Sequence, residues 1–250
     1  MRGGFLVLLW LALFAVASTF LCHLWNIQSA LMRTIFVWSF LMLFVALFEG
    51  LLLFYHDYVA EKGTYYYNEN KCYWSEEVSW TDMFSHKLYM DLYADYSYCD
   101  KRYSNVLKDC QGCRTVMTGE IIHGVFSLVL ASWIVYLFAV GAHELHVLLA
   151  SVVFSGAQLG IIVWYLSTIA IETKFVRNDK VWWPPCLWNL PWVVVPASIV
   201  WQTSQHLLRV YGTSGGPVEG VVEALTMSVS EVAASAASAA SAASAASAAR

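Results

Sequence analysis

The sequence predicts an all-α membrane protein: a five-transmembrane-helix bundle with one sizeable polar loop between spans 2 and 3. Three observations predict it. First, the 250 residues are 59% hydrophobic and only 13% charged, with a mean hydropathy of +0.55. A soluble domain carries about 25% charged and about 45–50% apolar residues. Second, five apolar runs, at 5–25, 34–55, 115–140, 147–170 and 186–210, match the roughly 20 residues that cross a bilayer. Third, a single long hydrophilic stretch, 56–114, parts the second run from the third. The chain thus divides into a membrane domain over 1–210 and a low-complexity Ala/Ser tail over 211–250. The net charge of −4 gives no basis for nucleic-acid binding. There is no Gly-rich phosphate loop, paired CxxC or HExxH. Twelve Trp and fourteen Tyr exceed the needs of interface belts and point to a pocket lined by aromatics.

The first run follows Arg2 and contains Ala15, Val16 and Ala17, as a secretory signal would. It is longer than the roughly 7–15 residues of a signal core, which favours a first span. The second run carries one charge, Glu49, near its far end, either facing a site or snorkelling to the interface. In the polar loop, Trp80, Met83, Phe84 and Leu88 fall near helical period, so 80–92 reads as a helix lying in the interface. Cys72, Cys99, Cys110 and Cys113 share this loop. They allow one or two disulfides if it is extracytoplasmic, and are free thiols otherwise.

The third run holds Glu120 and His123 in its first turns, three apart and so on one helical face. Ionisable groups inside a span are expensive, and are retained where they face a cavity or a partner. The alternative is that both sit at headgroup depth in water. In the fourth run Ser151, Ser155, Gln158, Tyr165 and Glu172 share one face. Gln158 there serves either helix packing or the cavity. Gly156 and Gly160 form a small-xxx-small pair that permits close helix contact. In the fifth run Asn189, Trp192 and Pro196 lie on one stripe, and Pro191 and Pro196 are expected to kink or unwind it. Arg33 and Arg209 flank one side of the membrane and Lys174, Arg177 and Lys180 the other, so charge favours neither orientation.

The stretches FEGLLLFYHD (Phe48 to Asp57), CDKRY (Cys99 to Tyr103), Glu120 and WNLPWVVVP (Trp188 to Pro196), in this order and on five spans, resemble the emopamil-binding protein family of the EXPERA group. The resemblance covers roughly Arg33 to Arg209. It implies a 3β-hydroxysteroid 8,7-isomerase of the endoplasmic reticulum membrane that moves a ring double bond without cofactor or metal. It implies Glu49 and Glu120 as catalytic, and His123 completes the expected catalytic set as this chain's own replacement for a family His. Binding roles fall on Tyr96, Asp100, Arg102, Tyr103, Asn189 and Trp192, to which the helical stripe adds Gln158. The implied partners are a sterol substrate, lipophilic amines as cation mimics, membrane lipids and a second copy in a homodimer. The family has a His one turn before the second-span Glu, where this chain has Val45, and His123 stands where animal members look to have Thr.

The chemistry suits these residues. Shifting an alkene adds a proton at one carbon and removes another nearby, through a carbocation. In a lipid-walled pocket one carboxyl can serve as a neutral acid while another is a base, and Trp192 can hold the cation. His123 is expected to handle the proton that the missing family His would have handled. Two other readings stand beside the enzyme: a silent member that binds sterols or cationic amphiphiles, favoured by Val45, and a scaffold or transporter. A transporter is expected to show inverted repeats, and none is visible.

Overall fold

The computed structural model describes residues 1–104, 111–171 and 189–211. The side chains of Met83 and Cys113, the residues Cys110 and Glu172, the loop after the fourth run and the Ala/Ser tail lie outside the described residues. The described residues are all-helical: α1 Gly3–Leu24, α2 Ala30–Glu69, α3 His86–Asp95, α4 Gln111–Ala139, α5 Glu144–Ile171 and α6 Asn189–Tyr211, with short 3-10 turns in the loop. Four of them, α1, α2, α4 and α5, are long and apolar enough to cross a membrane.

Helix α2 is the spine. Ser29 caps its start by accepting from the Met32 amide, and Asn70 ends it in the left-handed conformation. Its buried positions Ile35, Trp38, Met42, Ala46, Glu49, Leu52, Val59, Gly63 and Tyr66 follow helical spacing throughout. The apolar run ends near Tyr55, but this stripe does not, and the helix continues to Glu69. Leaving the bilayer removes the need for apolar residues all round, not the need to bury one face. The lower half of α2 packs on α4, α5 and α6 through Ile35, Met42, Ile134, Phe154 and Ile199. Its upper half packs on α1 and α3 through Leu52, Val59, Leu6 and Leu88. Residues turned away from the bundle, such as Val125, Val129 and Trp133 on α4, are exposed and apolar, as lipid contact requires.

The N-terminus is tied into the polar loop. Gly3 donates its amide to the Glu76 carbonyl at 3.0 Å, and the Met1 ammonium donates to the Val78 carbonyl at 2.9 Å. Residues 80–84 form a 3-10 turn and α3 follows it. Trp80 and Phe84 are 58% and 78% exposed beside the start of α1. Cys99 is disulfide-bonded, while Cys22 and Cys72 are free and buried.

Two expectations are corrected. Gly156 and Gly160 make no close contact: a Cβ at either meets nothing within 4 Å among the described residues. The buried stripe of Ser151, Ser155, Gln158 and Tyr165 faces the bundle and turns the glycines outward. Helix α6 is not unwound by its prolines. Pro191 sits in the first turn, where an amide would have no partner in any case, and Pro196 lies inside a continuous helix.

Gly63 shows how tightly the polar loop sits on α2. A Cβ there would lie 2.4 Å from the Tyr103 carbonyl oxygen and 3.0 Å from the Ser97 Cβ, and the Gly63 carbonyl accepts from Ser97 Oγ at 2.8 Å. Backbone cannot swing aside as a flexible side chain would. Gly63→Ala is expected to destabilise the protein by about 1–3 kcal/mol, read as a lower thermal midpoint in detergent.

Candidate functional site

The site begins where α4 crosses α2. Gly124 lies so close to α2 that a Cβ there would stand 2.6 Å from the Glu49 Cβ. This contact brings the neighbouring His123 onto Glu49: Nδ1 lies 3.2 Å from Oε1 and 3.0 Å from Oε2. His123 Nδ1 and Glu49 Oε1 share one hydrogen. The geometry serves Oε1 with that hydrogen. Oε2 is buried with no hydrogen-bond partner among the described residues, on a side chain 3% exposed in all.

Glu120, one turn earlier on the same face of α4, is held from the loop. The Tyr103 hydroxyl donates to its Oε1 at 2.5 Å. Burial, with Glu120 beside it, pushes the Tyr103 phenol well above its ordinary range, so it remains a donor. Tyr103 is fixed in turn by its neighbours. Arg102 clamps Asp100 through Nε and Nη2 at 2.7–3.1 Å, donates through Nη1 to Thr168 Oγ1 at 2.8 Å, and Asp100 also accepts from Tyr165 Oη at 3.2 Å. The pair is almost wholly buried. Asp100 and Arg102 line neither cavity described below; they stand behind the wall and join the loop to α5.

Two neighbouring cavities adjoin these groups. The smaller, about 90 Å³, is walled by Glu49, Glu120, His123, Gln158, Asn189 and Trp192 among others. The larger, about 360 Å³, is apolar, walled by Trp10, Leu41, Phe48, Leu88 and Tyr89, with Asp95 at its edge. Val45, Tyr93, Tyr96 and Trp192 face both. Trp192 is set by Trp38: their ring centroids are 5.0 Å apart, and Trp38 Nε1 donates to Gln158 Oε1 at 2.8 Å. Gln158 thus serves packing and cavity together. Of the ten residues expected at the site, seven line the smaller cavity and Tyr103 bonds directly to one of them.

Donor atoms of Glu49, Glu120 and His123 all lie within 4.8 Å of one another. A proton can move among them over that span, and the same three donors could also hold a divalent cation.

Two residues escape the sequence reading. Tyr93 faces both cavities, and its signal was available: Tyr89, Tyr93 and Tyr96 are spaced by four and three, at helical period along α3 and into the 3-10 turn that follows it. Asp95 is 1% exposed at the edge of the larger cavity. Its Oδ1 accepts from the Tyr73 amide at 2.6 Å, and its Oδ2 is buried with no hydrogen-bond partner among the described residues. Burial above all, with Asp91 and Glu76 adding to it, raises its pKa from 3.8 to about 8.

That shift has a consequence for stability. The folded state holds the Asp95 proton more tightly than the unfolded chain does. The contribution is therefore full below about pH 4 and is lost as pH rises through about 8. Asn cannot titrate. The thermal midpoint of Asp95→Asn relative to wild type is expected to rise between about pH 4 and about pH 8 and then level off; parallel melts across that range check it.

Set beside known proteins, the chain matches no family model, no curated protein and no solved structure.

Proposed function

We propose that the protein is an intramembrane isomerase that moves a ring double bond of a sterol by proton addition and removal. The observation that carries this is the joint placement of two carboxyls and an imidazole on one small cavity, beside an apolar cavity sized for a polycyclic ligand. The Glu49–His123 pair holds one proton and delivers it to one carbon of the alkene. The resulting carbocation rests against the face of Trp192, where a desolvated cation–π contact is worth about 2 kcal/mol. Glu120 removes a proton from the carbon on the other side of the cation, and the double bond re-forms one position along. Tyr103, as a donor to Glu120, suits it to accepting. The atoms balance: one proton enters and one leaves. The cycle closes when the proton returns from Glu120 to the Glu49–His123 pair across the 4.8 Å that encloses their donor atoms.

In this reading α6 is a fifth span; its 23 residues reach about 34 Å, enough to cross a hydrocarbon core of about 30 Å. Disulfide-bonded Cys99 favours a polar loop in an oxidising lumen, consistent with the endoplasmic reticulum membrane. Lipophilic amines fit as mimics of the cation. Val45, where the resembled family has His, is the observation that favours the second reading, a silent binding protein.

Complementation of a cell lacking its own isomerase, with sterols read by mass spectrometry, separates the two. Wild type is expected to restore the shifted sterol; no product would leave the binding protein. Glu120→Gln keeps the shape but cannot exchange a proton, and activity is expected to fall about 10²–10⁴-fold. His123→Val is expected to lose activity, and adding Val45→His to it to restore part. Full activity in His123→Val would remove the imidazole from the mechanism and leave a two-carboxylate exchange.

A further inference from the structure

Asp95 lies outside the acid–base chemistry, yet it is built as a contact. It stands in a wall otherwise made of groups such as Val7, Leu88 and Trp10. One carboxyl oxygen is engaged by the Tyr73 amide, and the other, Oδ2, is buried with no hydrogen-bond partner among the described residues. Asp95 is also next in the chain to Tyr96, which faces both cavities.

We infer that Asp95 is the polar-end subsite of the larger cavity: it hydrogen-bonds the ring hydroxyl of a polycyclic alcohol and so places the distal rings at Trp192, beside Glu49 and Glu120. A hydroxyl fits better than other polar groups. It can donate to a carboxylate or accept from a carboxylic acid, so it bonds Oδ2 in either state. The raised pKa of Asp95 favours the neutral acid and thus a neutral partner over an ammonium group. An ammonium is served instead at the Glu49 and Glu120 end. The inference rests on the isomerase reading for its ligand class, a sterol, and adds which end of that ligand lies where.

The test is competition binding in detergent, with a radiolabelled lipophilic amine as probe and two competitors, a 3-hydroxysterol and its 3-deoxy counterpart. Wild type is expected to prefer the hydroxysterol by roughly 10–100-fold, the cost of leaving a buried polar group unpaired beside the deoxysterol. In Asp95→Ala the preference should collapse to within about threefold, through weaker hydroxysterol binding alone. Asp95→Asn, which can keep the Tyr73 contact and offers an NH₂ at the second position, should recover part of it. Equal affinities in wild type, or an undiminished preference in Asp95→Ala, would overturn the subsite and leave the isomerase reading standing. Failure of both sterols to compete would overturn the two together. A measurement on the wild-type chain guards against a variant that does not fold. A 3-hydroxysterol carrying a diazirine at C4, beside the intact hydroxyl, labels carboxyl side chains on irradiation and should mark Asp95 in peptide mass spectrometry. Label on Glu49 or Glu120 instead would mean the opposite orientation and end the proposal.

Discussion

The close approach of α4 to α2 at Gly124 is the contact on which the site depends. Even one added methyl carbon there would fall 2.6 Å from the Glu49 Cβ, far inside van der Waals contact. Because the helices nearly touch, His123, the residue before Gly124, has no route but along α2 and meets Glu49. Glu120, four residues before Gly124, lies on the same face one turn away. A glycine thus sets the separation of three ionisable groups it never bonds. Lipid supplies no hydrophobic drive for helices to associate, so packing of small residues and interhelical polar contacts hold such pairs. Here the small residue and the polar contact are adjacent in sequence, and each makes the other possible.

The polar loop completes what the crossing begins. Its Asp100–Arg102 pair is almost fully buried and bonded to Thr168 and Tyr165 of α5. A buried ion pair is weak evidence for stability, since desolvation offsets most of its attraction, but losing one partner costs about 3–5 kcal/mol. Its value here is positional. It fixes the turn that carries Tyr103, and Tyr103 fixes Glu120. Gly63 lets that same turn lie directly on the α2 backbone, so α2 supports Glu49 from below and, through the loop, Glu120 from above.

Much of this was legible in the sequence. Glu49, Glu120 and His123 stand out because charge inside an apolar run is costly, and the structure puts all three on one cavity. Helix α2 past Tyr55 was not legible from hydropathy, because hydropathy reports the solvent and the stripe from Leu52 to Tyr66 reports the packing. Asp100 and Arg102 were visible as a motif, but residue type does not say whether a polar pair faces a cavity or stands behind its wall. Asp95 was hidden for a related reason. In a loop rich in Asp, Glu and Tyr, a carboxylate reads as solvated, and only the fold shows that it is buried and bonded to the Tyr73 amide. Gly156 and Gly160 show the opposite failure: a packing motif that the described helices leave open.

Two carboxyl oxygens, Glu49 Oε2 and Asp95 Oδ2, are buried without a hydrogen bond among the described residues, and their side chains border neighbouring cavities. An unsatisfied buried polar atom costs about 1–3 kcal/mol, a large share of a marginal stability. A ligand of the proposed class would meet both side chains at once, with its reacting carbon beside the first and its hydroxyl bonded to the second. The rings between, Tyr93, Tyr96 and Trp192, then separate a chamber for proton exchange from a chamber for apolar burial. A ligand that spans them would gain affinity from the larger cavity and reactivity from the smaller. In the proposed isomerisation, that division would let binding energy remote from the reacting carbon hold the alkene against the acid and base.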